Sequence, residues 1–257
     1  MIKISERLMT VASLVSRDHV LADVGTDHGY VPIYLILQGK IKKAIAMDIN
    51  RGPLERAREH ISLYGMGDYI ETRLSDGVEA LALGEADSIL IAGMGGGLVI
   101  RVLEQGREVC HAAKELVLQP QSELPRVREF LFWEGYVTDA EEMVFEDGKY
   151  YPMMRVRYDA QIKKERCAQK QEPRTFLREL GFFYGEGLLE QRHPVLLQYL
   201  KKERSVYGEI SASLKRQPDS EKIRDRRAAL AAEISRNERA IACYGDDYGR
   251  EEHYFKD

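Results

Sequence analysis

Leu21-Ala-Asp-Val-Gly-Thr-Asp-His-Gly-Tyr30 reads as a short buried strand that ends in a glycine turn. Asp23, Gly25 and Gly29 fall at the mouth of a β-α unit, where open α/β sheets bind ligands beyond the carboxyl ends of their strands. A dinucleotide turn requires a middle glycine so that the backbone can approach pyrophosphate. Here Asp27 occupies that place, and its carboxylate would repel a pyrophosphate. S-adenosylmethionine carries a sulfonium, an ammonium and a ribose but no phosphate, so the turn favours a methyl donor over NAD. Thr26, His28 and Gly29 join Asp23 and Gly25 as candidate cofactor contacts. Taken alone, the same residues also suit a tight structural turn.

The next strands repeat the pattern. Ala44-Ile-Ala-Met-Asp48 is an apolar run ending in an acid, and Asp48 with Ile49 stands at the distance from Gly25 where an acid accepts hydrogen bonds from ribose hydroxyls. Ile70-Glu-Thr-Arg-Leu-Ser-Asp76 gives a third strand, with Asp76 and Gly77 placed to receive an adenine amino group. Ser88-Ile-Leu-Ile-Ala-Gly-Met-Gly-Gly-Gly97 is a fourth strand running into glycines, with Ala92 and Gly93 at the cofactor. Each acid alone could cap the helix that follows it. Three acids, each just past one of three successive strands, point to a nucleoside-containing ligand.

These residues carry a resemblance. Asp23-Val-Gly-Thr-Asp-His-Gly-Tyr-Val-Pro32, Ile91-Ala-Gly-Met-Gly-Gly96, Asp147-Gly-Lys-Tyr-Tyr-Pro152 and a His193-Pro194 at the entrance to a helical tail are similar to the bacterial tRNA adenine-N1 methyltransferases that modify adenine 22. The similarity extends over essentially the whole chain. It implies S-adenosylmethionine as cofactor, tRNA as partner, and N1 of the D-arm adenine as the methylated atom.

From Val20 to Tyr158, β-rich runs alternate with helical stretches, the pattern of a mostly parallel sheet covered on both faces. Helices are expected at Pro53–Tyr64, from Leu98 and at Pro125–Glu134, and a fifth strand at Glu115–Gln119. Gly135–Val144 and Tyr151–Tyr158 would close the sheet as an antiparallel pair. The fold class is therefore α/β, a Rossmann-like class I methyltransferase domain over residues 1–159. Residues 160–257 form a second, helical domain resembling a coiled-coil hairpin. In it Leu196, Tyr199, Val206, Ile210 and Leu214 make one apolar stripe, and Ile223, Leu230, Ile234 and Ile241 another; Gln217–Ser220 breaks the chain between them. Arg227 and Asn237 interrupt the second stripe.

The chain has 257 residues, 44% hydrophobic and 31% charged, a globular composition large enough for one sizeable domain and a smaller one. Cys110, Cys167 and Cys243 are far apart, with no C-x-x-C pair, so neither a metal site nor a disulfide framework is expected. Leu8–Val15 is apolar but follows Glu6 and Arg7; it reads as a helix capped near Ser5 and not as a signal peptide. No run approaches a membrane span. A cytoplasmic monomer is expected.

The net charge of −4 divides into −7 for residues 1–159 and +3 for residues 160–257. Total charge thus gives no sign of a nucleic-acid partner. Lys201-Lys202-Glu203-Arg204, Lys215-Arg216 and Arg224-Asp225-Arg226-Arg227 could track phosphates, with Arg224 and Arg227 as candidate substrate contacts. Interleaved acids suit a solvated helix face equally well.

For chemistry, Asp27 is the candidate catalytic group, a carboxylate near the exocyclic amine of an attacked adenine. Its alternatives are the methionine ammonium or a helix cap. Tyr30 is a candidate stacking platform for a flipped-out base, or helix-start packing. Met94, Gly95 and Gly96 stand where amine methyltransferases place an acceptor and an aromatic, so base reading through backbone groups is expected there. Two other functions share these features: a methyltransferase acting on a small molecule or protein, and a non-catalytic module retaining the cofactor fold.

Overall fold

A computed structural model describes residues 2–168 and 176–245. The chain forms two compact units, residues 1–172 and 173–257. In the first, α1 (Glu6–Leu14), capped by Ser5, precedes β1 (Val20–Val24), α2 (Tyr30–Leu37), β2 (Lys43–Asp48), α3 (Arg51–Leu63) and β3 (Ile70–Leu74). Then follow β4 (Ser88–Met94), α4 (Gly96–Gln105), α5 (Arg107–Ala112), β5 (Glu115–Pro120), α6 (Leu124–Trp133), β6 (Tyr136–Glu146), β7 (Lys149–Tyr158) and α7 (Ala160–Ala168).

The seven strands run in the order β3-β2-β1-β4-β5-β7-β6, with β7 antiparallel to both of its neighbours and the rest parallel. The order reverses between β1 and β4, which opens a crevice at their carboxyl ends. The apolar runs of β1, β4 and β5 are buried because helices cover both of their faces. Ile89, Ile91, Leu116 and Leu118 pack with Val99, Leu103 and Val127 on one side of the sheet. Leu21, Leu90, Val117 and Met153 pack with Val11, Ile33 and Leu35 on the other. Each of these side chains contributes about 1.5–3 kcal/mol on burial, enough in sum to hold the strand ends at fixed spacing.

The closing pair is longer than its expected bounds. The strands meet at Asp147 and Gly148, both left-handed (φ 49° and 78°), as a two-residue Asp-Gly hairpin requires. Helix α7 also corrects the expected boundary at 159/160. Lys163 pairs with Glu134 at 2.8 Å, and Arg166 donates to the carbonyls of Phe132 and Tyr136, so α7 packs on α6 and β6 and the division falls at 172/173.

The second unit holds α8 (Phe176–Tyr184), α9 (Glu186–Glu190), α10 (Pro194–Lys215) and α11 (Glu221–Ala242), the last two forming the helical hairpin. His193 Nδ1 accepts from the Val195 amide at the start of α10, and Ser220 caps α11. Two expectations about its seam need correction. Val206 is exposed, and Leu200, outside the expected stripe, is fully buried. Asn237 does not interrupt the seam but joins it: its Nδ2 donates to the Leu200 carbonyl and to Glu203, each at 3.0 Å. Glu203 also accepts from Tyr184 and Tyr199.

Cys110 and Cys243 are buried thiols and Cys167 an exposed one. Among the described residues no cluster of side chains could hold a metal ion, and no helix is long and apolar enough to cross a membrane.

Candidate active site

The carboxyl ends of β1 to β4 surround a cleft of about 840 Å³. Its floor begins at the glycine turn. Gly25 is left-handed (φ 74°), and its amide and that of Thr26 both donate to the Met47 carbonyl at 2.8 Å, which docks the turn on β2. A side chain at Gly25 would run into the Met94 methyl group. Only glycine fits there, for two reasons, its φ and its neighbour.

Asp23, only 7% exposed, lies beneath the turn. The Thr26 hydroxyl donates to its Oδ2 at 2.6 Å. Burial pushes the Asp23 carboxyl up to about 6, Asp48 adds repulsion, and the Thr26 hydrogen bond opposes both. At the end of β2, Asp48 accepts from the Asn50 amide at 2.7 Å and lines the cleft beside Ile49. At the end of β3 the Ser75 hydroxyl donates to the Gly77 carbonyl and accepts from the Ala80 amide, fixing the turn that presents Asp76. Asp76 stands 3.4 Å from Arg101. Gly77 (φ 56°) lies over Val102, whose methyls would be 3.1 Å from an added Cβ. β4 bends at Gly93 (φ 79°), where its register with β5 shifts between Ala92 and Met94.

Of the expected site residues, Asp23, Gly25, Asp27, Tyr30, Asp48, Ile49, Asp76, Gly77, Ala92, Gly93 and Met94 line this cleft. Others stand behind it. Thr26 is buried, its hydroxyl spent on Asp23. Gly29 (φ 68°) starts α2 against Ala57 of α3. His28 (φ 63°) turns its ring away, parallel to those of Tyr30 and His60 at 5.3 and 5.2 Å, and its carbonyl contacts His60 Nδ1 at 3.0 Å. The same cluster brings His60 and Tyr30 to 5.1 Å, so part of the Tyr30 ring is already covered. Asp27 is the opposite case. Its side chain is 75% exposed, with His28 Nε2 at 3.2 Å and Arg56 Nη2 at 3.6 Å from one oxygen.

Gly95 and Gly96 do not line the cleft. A Cβ on Gly96 would overlap the Ser122 carbonyl, the Gly96 amide is taken by the Ser122 hydroxyl, and the Gly97 amide is taken by Glu123. Gly96 lets α4 pack against the segment after β5, and the Gly96 and Gly97 amides are not open for base reading. In the second unit, Arg224 and Arg227 both pair with Asp219, and Arg227 donates to the Leu214 carbonyl at the end of α10. Their geometry closes the hairpin turn.

A second wall of the cleft escaped the sequence reading. Arg7 from α1 donates to Gln119 Oε1 at 2.8 Å, its amide donates to Glu146, and its guanidinium lies 5.3 Å over the Tyr151 ring. Lys3, Ser5, Gln121, Glu146, Asp147 and Tyr151 complete that side. The only sequence signal was the Asp147–Pro152 segment, which supplies the hairpin but does not announce its partner on α1.

Residues 4–154 match the model of a methyltransferase domain. Over 228 residues the chain is 33% identical to the tRNA (adenine(22)-N(1))-methyltransferase of Bacillus subtilis, covering 87% of this chain and 92% of that protein. The solved structure of the B. subtilis M1A22 tRNA methyltransferase TrmK superposes with a TM-score of 0.79 at 31% identity, over 94% of this chain and all of that one. Streptococcus pneumoniae Sp1610 in complex with S-adenosyl-L-methionine gives 0.78 at 30%, over 93% of this chain and all of the other. The likeness runs through both units, and the chain belongs to the tRNA (adenine(22)-N(1))-methyltransferase family.

Proposed function

We propose that this protein transfers a methyl group from S-adenosylmethionine to N1 of adenine 22 in the D-arm of tRNA, in the cytoplasm. The observation that carries the reading is the row of carboxylates Asp23, Asp48 and Asp76, one at each of three adjacent strand ends around a cleft of about 840 Å³. That row suits a ligand with an ammonium, a diol and an exocyclic amine, and it opposes a phosphate.

When bound, S-adenosylmethionine supplies an electrophilic methyl on a sulfonium. The chain's residues have distinct tasks toward it. Asp48, oriented by the Asn50 amide, accepts from the ribose hydroxyls. Asp76 receives the adenine amine of the cofactor. Asp23, oriented by Thr26, holds the ammonium end as a carboxylate. Gly25 and the Gly93 bend keep the backbone low enough for the reacting atoms to meet at the switch between β1 and β4.

The target adenine enters with N1 facing that point. Its lone pair forms the new N–C bond as the S–C bond breaks, and the ring becomes cationic. Asp27, exposed at the cleft edge and held by His28 and Arg56, offsets that charge and accepts the proton the exocyclic amine then gives up. Met94 and the open part of Tyr30 hold the base. The helical unit meets the tRNA backbone through exposed cations such as Lys201 and Arg204 on α10. Arg224 could join them only by releasing Asp219.

Methyl transfer to unmodified tRNA, followed by nucleoside analysis, tests the function. N1-methyladenosine at position 22 is the expected product; saturable S-adenosylmethionine binding without transfer to tRNA would move the substrate to another class.

A further inference from the structure

A base methylated at N1 presents enzymes with a geometric constraint. N1 is the centre of the Watson–Crick edge, and a donor placed on it would block the attacking lone pair. The protein must therefore read adenine by the edge that remains, the exocyclic N6 and the ring N7. That edge offers one donor beside one acceptor, and a carboxamide is the side chain that answers both at once.

Two carboxamides line the cleft, Asn50 and Gln121. Asn50 follows Asp48 at the start of α3, on the ribose side. Gln121 follows β5, across the switch point on the acceptor side. Its amide donates to the Met94 carbonyl at 2.8 Å, which ties it to the bend of β4. Its side-chain nitrogen lies 3.7 Å from where a Gly93 Cβ would stand, so the carboxamide sits directly beside the bend. The Gln121 side chain is exposed and makes no hydrogen bond among the described residues. Gln119, two residues earlier, is committed: its oxygen accepts from Arg7 and its nitrogen donates to the Pro120 carbonyl. Of this pair, only Gln121 is available to a ligand.

We propose that Gln121 determines specificity for adenine, its Oε1 accepting from N6–H and its Nε2 donating to N7. It supplies from the end of β5 the reading group that Ala92–Gly96 lacks. The assignment rests on the function proposed above. It makes N7, an atom that takes no part in the reaction, important to the rate.

The test is a functional-group cycle on two tRNA transcripts, one with adenine and one with 7-deazaadenine at the target position, measured as kcat/KM. Wild-type enzyme is expected to lose about tenfold on the 7-deaza transcript, and Gln121→Leu about 10- to 100-fold on adenine with no further loss on 7-deazaadenine. Gln121→Glu keeps the N6 acceptor but sets a carboxylate against the N7 lone pair, so it should prefer the 7-deaza transcript, reversing the wild-type order. S-adenosylmethionine binding by calorimetry, unchanged in both variants, reports that each is folded. Wild-type indifference to 7-deazaadenine, or penalties that multiply in Gln121→Leu, would overturn the assignment while leaving the methyl transfer intact. Absence of N1-methyladenosine from wild-type enzyme on the adenine transcript would overturn the proposed function and this assignment with it.

Discussion

Replacing Asp23 with asparagine should stabilise the cofactor-free first unit while weakening its hold on S-adenosylmethionine. Asp23 is 7% exposed, and its carboxyl is raised from an ordinary 3.8 to about 6. The folded chain therefore binds this proton more tightly than the unfolded chain. Ionising it costs no stability below about pH 4, where both states hold the proton; the cost builds as the pH rises from about 4 to 6 and is complete above 6. At about 1.36 kcal/mol for each tenfold, the penalty at pH 8 is roughly 3 kcal/mol. Asparagine has the same shape and can still accept from Thr26, so it removes the penalty without opening a cavity. Urea unfolding at pH 8 should place the variant's first transition up to about 3 kcal/mol above wild type, with the two converging near pH 4. The same charge serves binding: wild-type affinity for S-adenosylmethionine should fall as the pH drops through 6, and the asparagine variant should be weaker and nearly flat across that range. Parallel stability profiles for the two proteins between pH 4 and 8 would refute the reasoning, because they would mean that Asp23 titrates alike in the folded and unfolded chain.

Asp48→Ala should raise the dissociation constant for S-adenosylmethionine by about 10- to 100-fold in calorimetry, the loss of hydrogen bonds to a charged acceptor; unchanged affinity would contradict the ribose assignment. Asp27→Ala should lower turnover by about 100-fold or more while leaving cofactor affinity within a few-fold, and the opposite split would give Asp27 to the methionine ammonium instead. Gly96→Ala should lower the unfolding free energy of the first unit by roughly 1–3 kcal/mol, because its methyl meets the Ser122 carbonyl, with little change in cofactor affinity. A strong cofactor defect in a stable Gly96→Ala protein would return that glycine to the ligand site.

What could be read along the chain was local. Strand, turn and acid follow one another within a few residues at Asp23–Gly25, Asp48 and Asp76–Gly77, and the left-handed φ at Gly25, Gly77 and Gly93 is what those glycines announce. The opposite wall is different in kind. Arg7 reaches Gln119 and Glu146 across 112 and 139 residues, and only the sheet order brings them together. The glycines after β4 illustrate a second limit, since the freedom that lets backbone approach a ligand also lets Gly96 approach Ser122. In the hairpin, helical spacing marked an apolar face but could not choose between Val206 and Leu200, because the partner helix decides which turn is covered. Asn237 looked like a fault for the same reason: its partners, Leu200 and Glu203, belong to the other helix.

The most direct test of the central claim is transfer of labelled methyl groups from S-adenosylmethionine to two tRNA transcripts that differ only at position 22. The adenine transcript should yield N1-methyladenosine, and the transcript with another base there should yield none. Equal labelling of both, or labelling of neither by enzyme that binds S-adenosylmethionine, would contradict it.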